Sequence, residues 1–174
     1  SWRTEMEFAR GNLIAWGLPL AAAAVVAAFA PALAGETIRG RSRVVDGDTI
    51  IIRKIRIGLF GIDAPEYRQK CSLDGRPWSC GISAKAVLKS AIGTKLVSCK
   101  LMPIAGAGPA RRAGVCRAGR LELNQWMVVK GWAMAVEAPV GGYVLAENTA
   151  REKRRGIWAG TFLKPSAWRQ QRQK

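Results

Sequence analysis

The sequence predicts an α+β domain, and three observations carry that prediction. Ile50 to Ile62 is mostly apolar and β-branched, interrupted at Arg53-Lys54, which reads as two extended strands joined by a turn. Gly81 to Ile92 carries Ile82, Ala86, Val87 and Leu88 on one side with Lys85 and Lys89 more exposed, and it stops at Gly93, which reads as a helix. Further along, the order of elements is strand, strand, helix, helix, so the two kinds of structure are segregated rather than alternating.

Each element has its own local reason. From Glu36 to Ile62 the pattern is strand-like, and Ile55, Ile57 and Leu59 alternate with Arg56, Gly58 and Phe60, giving one apolar face. Glu66 to Cys80 holds Gly75, Pro77 and Trp78 without a clear period and is expected to be a loop. Lys95 to Ile104 and Arg111 to Arg117 read as two further strands, with the turn Ala105-Gly106-Ala107-Gly108-Pro109-Ala110 between them. Leu121 to Lys130 is a short helix ended by Gly131. A third helix is expected from Gly142 to Arg155, with Lys153, Arg154 and Arg155 in its last turn and Gly156 after it. Trp158 and Phe162 pack the tail back on the body, and Arg169 to Lys174 is expected to fray. The tryptophans at 78, 126, 132, 158 and 168 stand at helical or tail positions and read as core rather than as stacking platforms.

Ahead of this domain, residues 1–34 read as a targeting segment. Arg10 precedes an uncharged run from Gly11 to Gly35 rich in Ala, Leu and Val, and the run holds Ala32-Leu33-Ala34, a small-x-small cleavage pattern. A signal peptide cut after Ala34 is the expectation, with an N-terminal anchor as the other reading. Residues 35–174 are then the folded domain, secreted or periplasmic, with no stable membrane insertion after cleavage. Cys71, Cys80, Cys99 and Cys116 contain no C-x-x-C pair, which argues against zinc and, in an oxidising compartment, for two disulfides. Three pairings are open. The preferred one joins Cys71 to Cys80, which closes a short loop, and Cys99 to Cys116, which joins neighbouring strands.

Charge narrows the partners. There are 28 Lys+Arg against 12 Asp+Glu, a net +16, which argues for a polyanion such as nucleic acid, acidic polysaccharide or a membrane surface. Arg3, Glu5, Glu7 and Arg10 cancel one another, so the excess belongs to the part after residue 34. There is no histidine, which excludes His-based acid–base catalysis, His-ligated zinc and Ser-His-Asp triads. Hydrolysis here would have to run on carboxylates, arginines and a metal.

The chemistry-bearing stretch is Val44-Val45-Asp46-Gly47-Asp48-Thr49, followed after thirteen intervening residues by Asp63-Ala64-Pro65-Glu66. Folding the intervening strands back on each other brings Asp48 and Asp63 together, with Glu66 near. Carboxylates that close repel unless a positive group sits between them, and a hard divalent cation suits oxygen ligands. The two motifs in this order resemble those of the staphylococcal nuclease (thermonuclease) family, which carries a D-G-D-T strand end and a D-[TA]-P-E loop. Asn124-Gln125-Trp126-Met127-Val128, Gly131-Trp132-Ala133 and Arg155-Gly156-Ile157-Trp158 also resemble segments of secreted bacterial members, so the likeness runs from about Arg41 to Trp168.

That resemblance implies a five-stranded OB-fold β-barrel with three helices, and a calcium-dependent nuclease cutting phosphodiester bonds in DNA or RNA as a monomer. It implies calcium (Ca2+) held by Asp48, Asp63 and the backbone carbonyl of Ala64, with Glu66 orienting the attacking water and Asp46 and Thr49 supporting the ligands from behind. Two arginines complete the family's site. The first would fall at Gly58, and Arg56 lies two residues earlier on the same strand face, about 6.6 Å away by strand rise. The second corresponds to Arg111, with Arg112 beside it, but the aspartate and tyrosine of the family's turn are replaced in Ala107-Gly108-Pro109-Ala110. Val136 and Glu137 stand where a further family tyrosine would be. The metal half of the pattern is kept and the phosphate half is altered. The alternative is therefore a catalytically impaired module that binds nucleic acid or acidic polysaccharide, or more weakly a structural protein of the envelope.

Overall fold

A computed structural model describes residues 36–104, 112–136 and 142–173. The targeting segment with its Ala34 cleavage site, the turn after Ile104 together with Arg111, and Glu137 lie outside the described residues. The domain is α+β, as expected. Its first strands are β1 (Thr37–Gly40), β2 (Ser42–Val44), β3 (Thr49–Ile52), β4 (Ile55–Leu59) and β5 (Ile62–Asp63). The turn between β3 and β4 falls at Arg53 and Lys54, both with positive φ (50° and 68°), the backbone sense that matches strand twist in a two-residue hairpin. Ile50, Ile52 and Ile57 are completely buried and Leu59 nearly so, while Arg56 is exposed, so the expected apolar face exists.

The segment expected to be an irregular loop instead holds a hairpin, β6 (Cys71–Leu73) and β7 (Arg76–Trp78), turned at Asp74-Gly75. Helix α1 (Cys80–Ile92) follows and buries Ala84, Leu88 and Ile92, one residue per turn. Strands β8 (Val97–Met102), β9 (Arg112–Ala118) and the short β10 (Leu121–Glu122) lead to α2 (Leu123–Val129). After β11 (Met134–Ala135) come α3 (Val144–Glu152), shorter at both ends than expected, a 3-10 turn (Gly156–Ala159) and α4 (Pro165–Gln171).

Four α-helices are thus present among the described residues rather than three. The extra one starts ahead of the tail that was expected to fray from Arg169 and runs into it as far as Gln171. Pro165 sits in its first turn, where a missing N–H costs nothing, and Arg169 is tied to the body by ion pairs. None of the described helices is long and apolar enough to cross a membrane.

The main sheet runs β1-β8-β9-β4-β3-β2, with β10 added on β9. Neighbours are antiparallel except β4 and β9, which run parallel with Ile57, Gly58 and Leu59 opposite Arg112, Ala113 and Gly114. The two ends of this order, β1 and β2, are consecutive in the chain with only Arg41 between them. Cys99 and Cys116 face each other across β8 and β9 and form one disulfide, and Cys71 and Cys80 form the other, so the preferred pairing is the one present. Asn124 is fully buried and satisfied. Its Oδ1 accepts from Cys116 N at 2.9 Å, and its Nδ2 donates to Phe60 O and Gly114 O at 2.9 and 3.0 Å, pinning α2 to the β4–β9 seam. A second, smaller core gathers Cys71, Cys80 and Ile157 under Trp78, Trp132, Trp158 and Phe162, which accounts for three of the tryptophans as packing residues. Trp126 packs on the main core, and Trp168 lies under the Arg172 guanidinium.

Candidate functional site

The site begins with the turn between β2 and β3. Val45 N donates to Thr49 O at 2.9 Å, and Leu59 N donates to Asp48 O at 2.6 Å, fixing the Asp46-Gly47-Asp48 corner to the end of β4. Gly47 lies so close to the next motif that a Cβ there would meet Ala64 Cβ at 2.7 Å and Ala84 Cβ at 2.8 Å. Asp63 ends β5, whose partner β11 places Met134 opposite it. Glu66 follows in a loop clamped from behind by α1: a Cβ on Gly81 would stand 1.8 Å from the Glu66 carbonyl oxygen. Only glycine permits either approach.

Asp48 joins the two motifs. Its Oδ1 accepts from the Thr49 hydroxyl at 2.9 Å and its Oδ2 from the Ala64 N–H at 2.7 Å. Burial and the negative charge of Asp46 push the Asp48 carboxyl up to about 8, against the opposing pull of those two donors. Asp46 is buried; its Oδ1 accepts from Asp48 N at 3.4 Å and its Oδ2 stands 3.6 Å from Arg56. Asp46 therefore both shapes its own turn and backs Asp48. Arg56 is 59 % exposed and spends its charge on that loose pair.

A cavity of about 740 Å³ opens over these groups. Asp46, Asp48, Thr49, Arg56, Asp63 and Glu66, all singled out in the sequence, line it. Ala64 lies buried behind them and contributes its N–H. Gly58 opens into the cavity, and Arg112 lines it while pairing with Glu36 at 3.3 Å. Arg111 is outside the described residues.

Sequence reasoning missed Arg169. From α4 its Nη1 reaches Asp63 Oδ1 at 2.8 Å and Glu66 Oε1 at 2.7 Å, and its Nη2 reaches Asp63 Oδ2 at 3.1 Å. These partners hold the guanidinium even more firmly charged than usual, the Asp63 hydrogen bonds first. The acidic pair does have a positive group between its members, and in this structure that group is a side chain. Pro165 as a helix start was the one local signal for α4; nothing local says where its arginine would land.

The chain around Arg169 is tied down. Gln69, fully buried, accepts from Glu66 N at 3.2 Å and donates to Leu163 O at 2.6 Å. Ser72 and Thr161 exchange two backbone bonds at 2.8 Å each. Among the described residues no three His, Cys, Asp or Glu converge to hold a metal. With Asp63 and Glu66 engaged by Arg169, and Asp48 by Thr49 and Ala64, the donor set as folded does not fit one.

No family model matches the chain. The chain is 34% identical over 130 residues to a succinoglycan biosynthesis protein, ExoI, of Rhizobium meliloti (strain 1021). The match covers 72% of this chain and 66% of that protein, so the chain spans just under two thirds of the relative's length.

Proposed function

We propose that this domain is a nuclease-type phosphodiesterase of the staphylococcal nuclease kind, acting on DNA or RNA outside the cytoplasm. The observation that carries the reading is the 2.7 Å bond from Ala64 N to Asp48, which welds the two acidic motifs into one site beside Glu66. The strand order supports the fold half of the proposal. Taken as one bent strand, β1 and β2 pair with β8 on one side and β3 on the other, so five strands would close on themselves as an OB barrel. The two disulfides support an oxidising compartment.

In this reading a water attacks phosphorus while its proton passes to Glu66, whose Oε1 is held by Arg169. The bond from phosphorus to the leaving oxygen breaks, and that oxygen takes a proton from solvent. Guanidinium groups offset the charge gathering on the phosphoryl oxygens. The net +16 draws the polyanion to the surface. Calcium is the cofactor that the family likeness adds, with Asp48, Asp63 and the Ala64 carbonyl as its ligands. Because those groups do not fit a metal as folded, the reaction rests on the chain's own residues.

The test is incubation of the protein with end-labelled single-stranded DNA and RNA, with calcium in one arm and a chelator in the other. Cleavage in either arm that falls about hundredfold or more in Glu66→Gln supports the reading. Intact polymer in both arms at high protein concentration removes it.

A second reading is a module that binds a polyanion without turnover. It is favoured by the similarity to a protein named for succinoglycan biosynthesis and by glycine at position 58. It predicts salt-sensitive retention of an acidic polysaccharide with no loss of chain length.

A further inference from the structure

We infer that Arg169 is the residue that grips a phosphate of the bound polymer, using the Nε–Nη2 edge of its guanidinium. The inference rests on the phosphodiesterase reading for its ligand class and goes beyond it in naming a residue from α4. An arginine has five N–H donors in a fixed fork. Three are spent here: both on Nη1, to Asp63 Oδ1 and Glu66 Oε1, and one on Nη2, to Asp63 Oδ2. The two that remain, on Nη2 and Nε, lie along the same lateral edge, and no described residue accepts from them. Two parallel donors on one edge match two oxygens of a phosphodiester.

Placement supports the same assignment. Arg169 lines the cavity that Glu66 and Gly58 also line, so a phosphate on its free edge lies beside the carboxylate that would take the water's proton. The other described arginines of the cavity are committed elsewhere, Arg56 to Asp46 and Arg112 to Glu36. Asp63 and Glu66 fix the fork's orientation before anything binds. Gln69 and the Ser72–Thr161 pair fix the segment that carries it. Such preorganisation spares the ordering cost that a free arginine incurs on binding.

The test measures binding of a fluorescein-labelled single-stranded DNA oligonucleotide by anisotropy across a salt series, with cleavage followed in parallel. Arg169→Ala is expected to weaken binding about tenfold or more. It should also make the slope of log affinity against log salt shallower by about 0.7, one phosphate contact. Arg169→Lys keeps the charge and loses the fork, so it should fall well short of wild type. Arg172→Ala, an equal loss of charge at the C-cap of the same helix, should leave the slope near the wild-type value. Gly58→Arg in the Arg169→Ala background should restore part of the binding. A Cβ at position 58 meets nothing closer than 3.8 Å, so a new arginine there can enter the same cavity.

Unchanged affinity and slope in Arg169→Ala overturn the inference, as does Arg169→Lys equal to wild type. Tighter binding or faster cleavage in Arg169→Ala also overturns it, by showing a guanidinium that competes for the carboxylates. If wild type cleaves nothing but Arg169→Ala still weakens binding and makes the slope shallower, the hydrolase reading fails and the phosphate contact stands. If wild type cleaves and Arg169→Ala cleaves equally, the phosphate contact alone fails.

Discussion

Asp48 Oδ2 accepts the backbone N–H of Ala64 at 2.7 Å, so residues sixteen apart in the chain share one hydrogen bond at the floor of the cavity. The bond holds a carboxyl that the surroundings would rather keep protonated. Below the unfolded value of about 4 the group is neutral in both states and costs nothing. As pH rises toward the folded value of about 8, the unfolded chain gains its charge first, so native stability falls. Thermal melts between pH 4 and 9 should show that decline in wild type and lack it in Asp48→Asn. A decline of equal size in Asp48→Asn would place its origin elsewhere.

Removing divalent ions should leave the fold intact. Arg169 already satisfies Asp63 and Glu66, so their repulsion does not wait for a metal. The melting temperature in a strong chelator should match that in buffer alone. A large drop on chelation would mean that these carboxylates depend on a metal instead.

Gln69→Ala should cost about 2 kcal/mol or more, read from urea unfolding. The substitution leaves the Glu66 N–H and the Leu163 carbonyl without their partner. It also frees the segment leading into α4, so DNA affinity should drop together with stability. Stability lost with affinity unchanged would show that α4 holds its position without this tie.

Gly81→Ala should cost at least as much, because its Cβ would stand 1.8 Å from the Glu66 carbonyl oxygen and backbone must move. Any activity should fall with it, since the displaced loop carries Glu66. Gly75→Ala is the control for glycine loss in general: nothing lies within 4 Å of its Cβ, and only its positive φ of 76° opposes the change.

Replacing Cys99 and Cys116 together by alanine should lower stability by about 3 kcal/mol, the scale for cross-linking residues 17 apart. Both sulfurs are fully buried, so mild reductant should spare this bond in the folded protein. Rapid thiol labelling at these positions without denaturant would contradict the buried placement.

What was legible in the sequence was local or motif-borne. The Arg53-Lys54 turn, the α1 stop at Gly93 and the pairing of Asp48 with the Asp63 loop follow from strand alternation, helix period and motif order. The disulfide pairing followed because short spacing and neighbouring strands narrow the choices. The β6–β7 hairpin was missed although Asp74-Gly75 is a turn signal, because three-residue strands are too short to show alternation. Arg169 was missed for a different reason. Its partners lie 106 and 103 residues earlier, and no local pattern encodes a contact of that span. A run of arginines and glutamines reads as solvated until the acids it meets are known.

The tie between Ser72 and Thr161 has a consequence for how the protein comes into being. Among the described residues, every strand and every acidic group of the pocket lie within 37–135, yet the guanidinium that binds Asp63 and Glu66 arrives only with α4. A chain still being made, or one clipped before residue 169, leaves Asp63 and Glu66 without that partner. The pocket is therefore complete only once synthesis has passed α4, and a protease trimming from that side would strip both carboxylates of their shared partner.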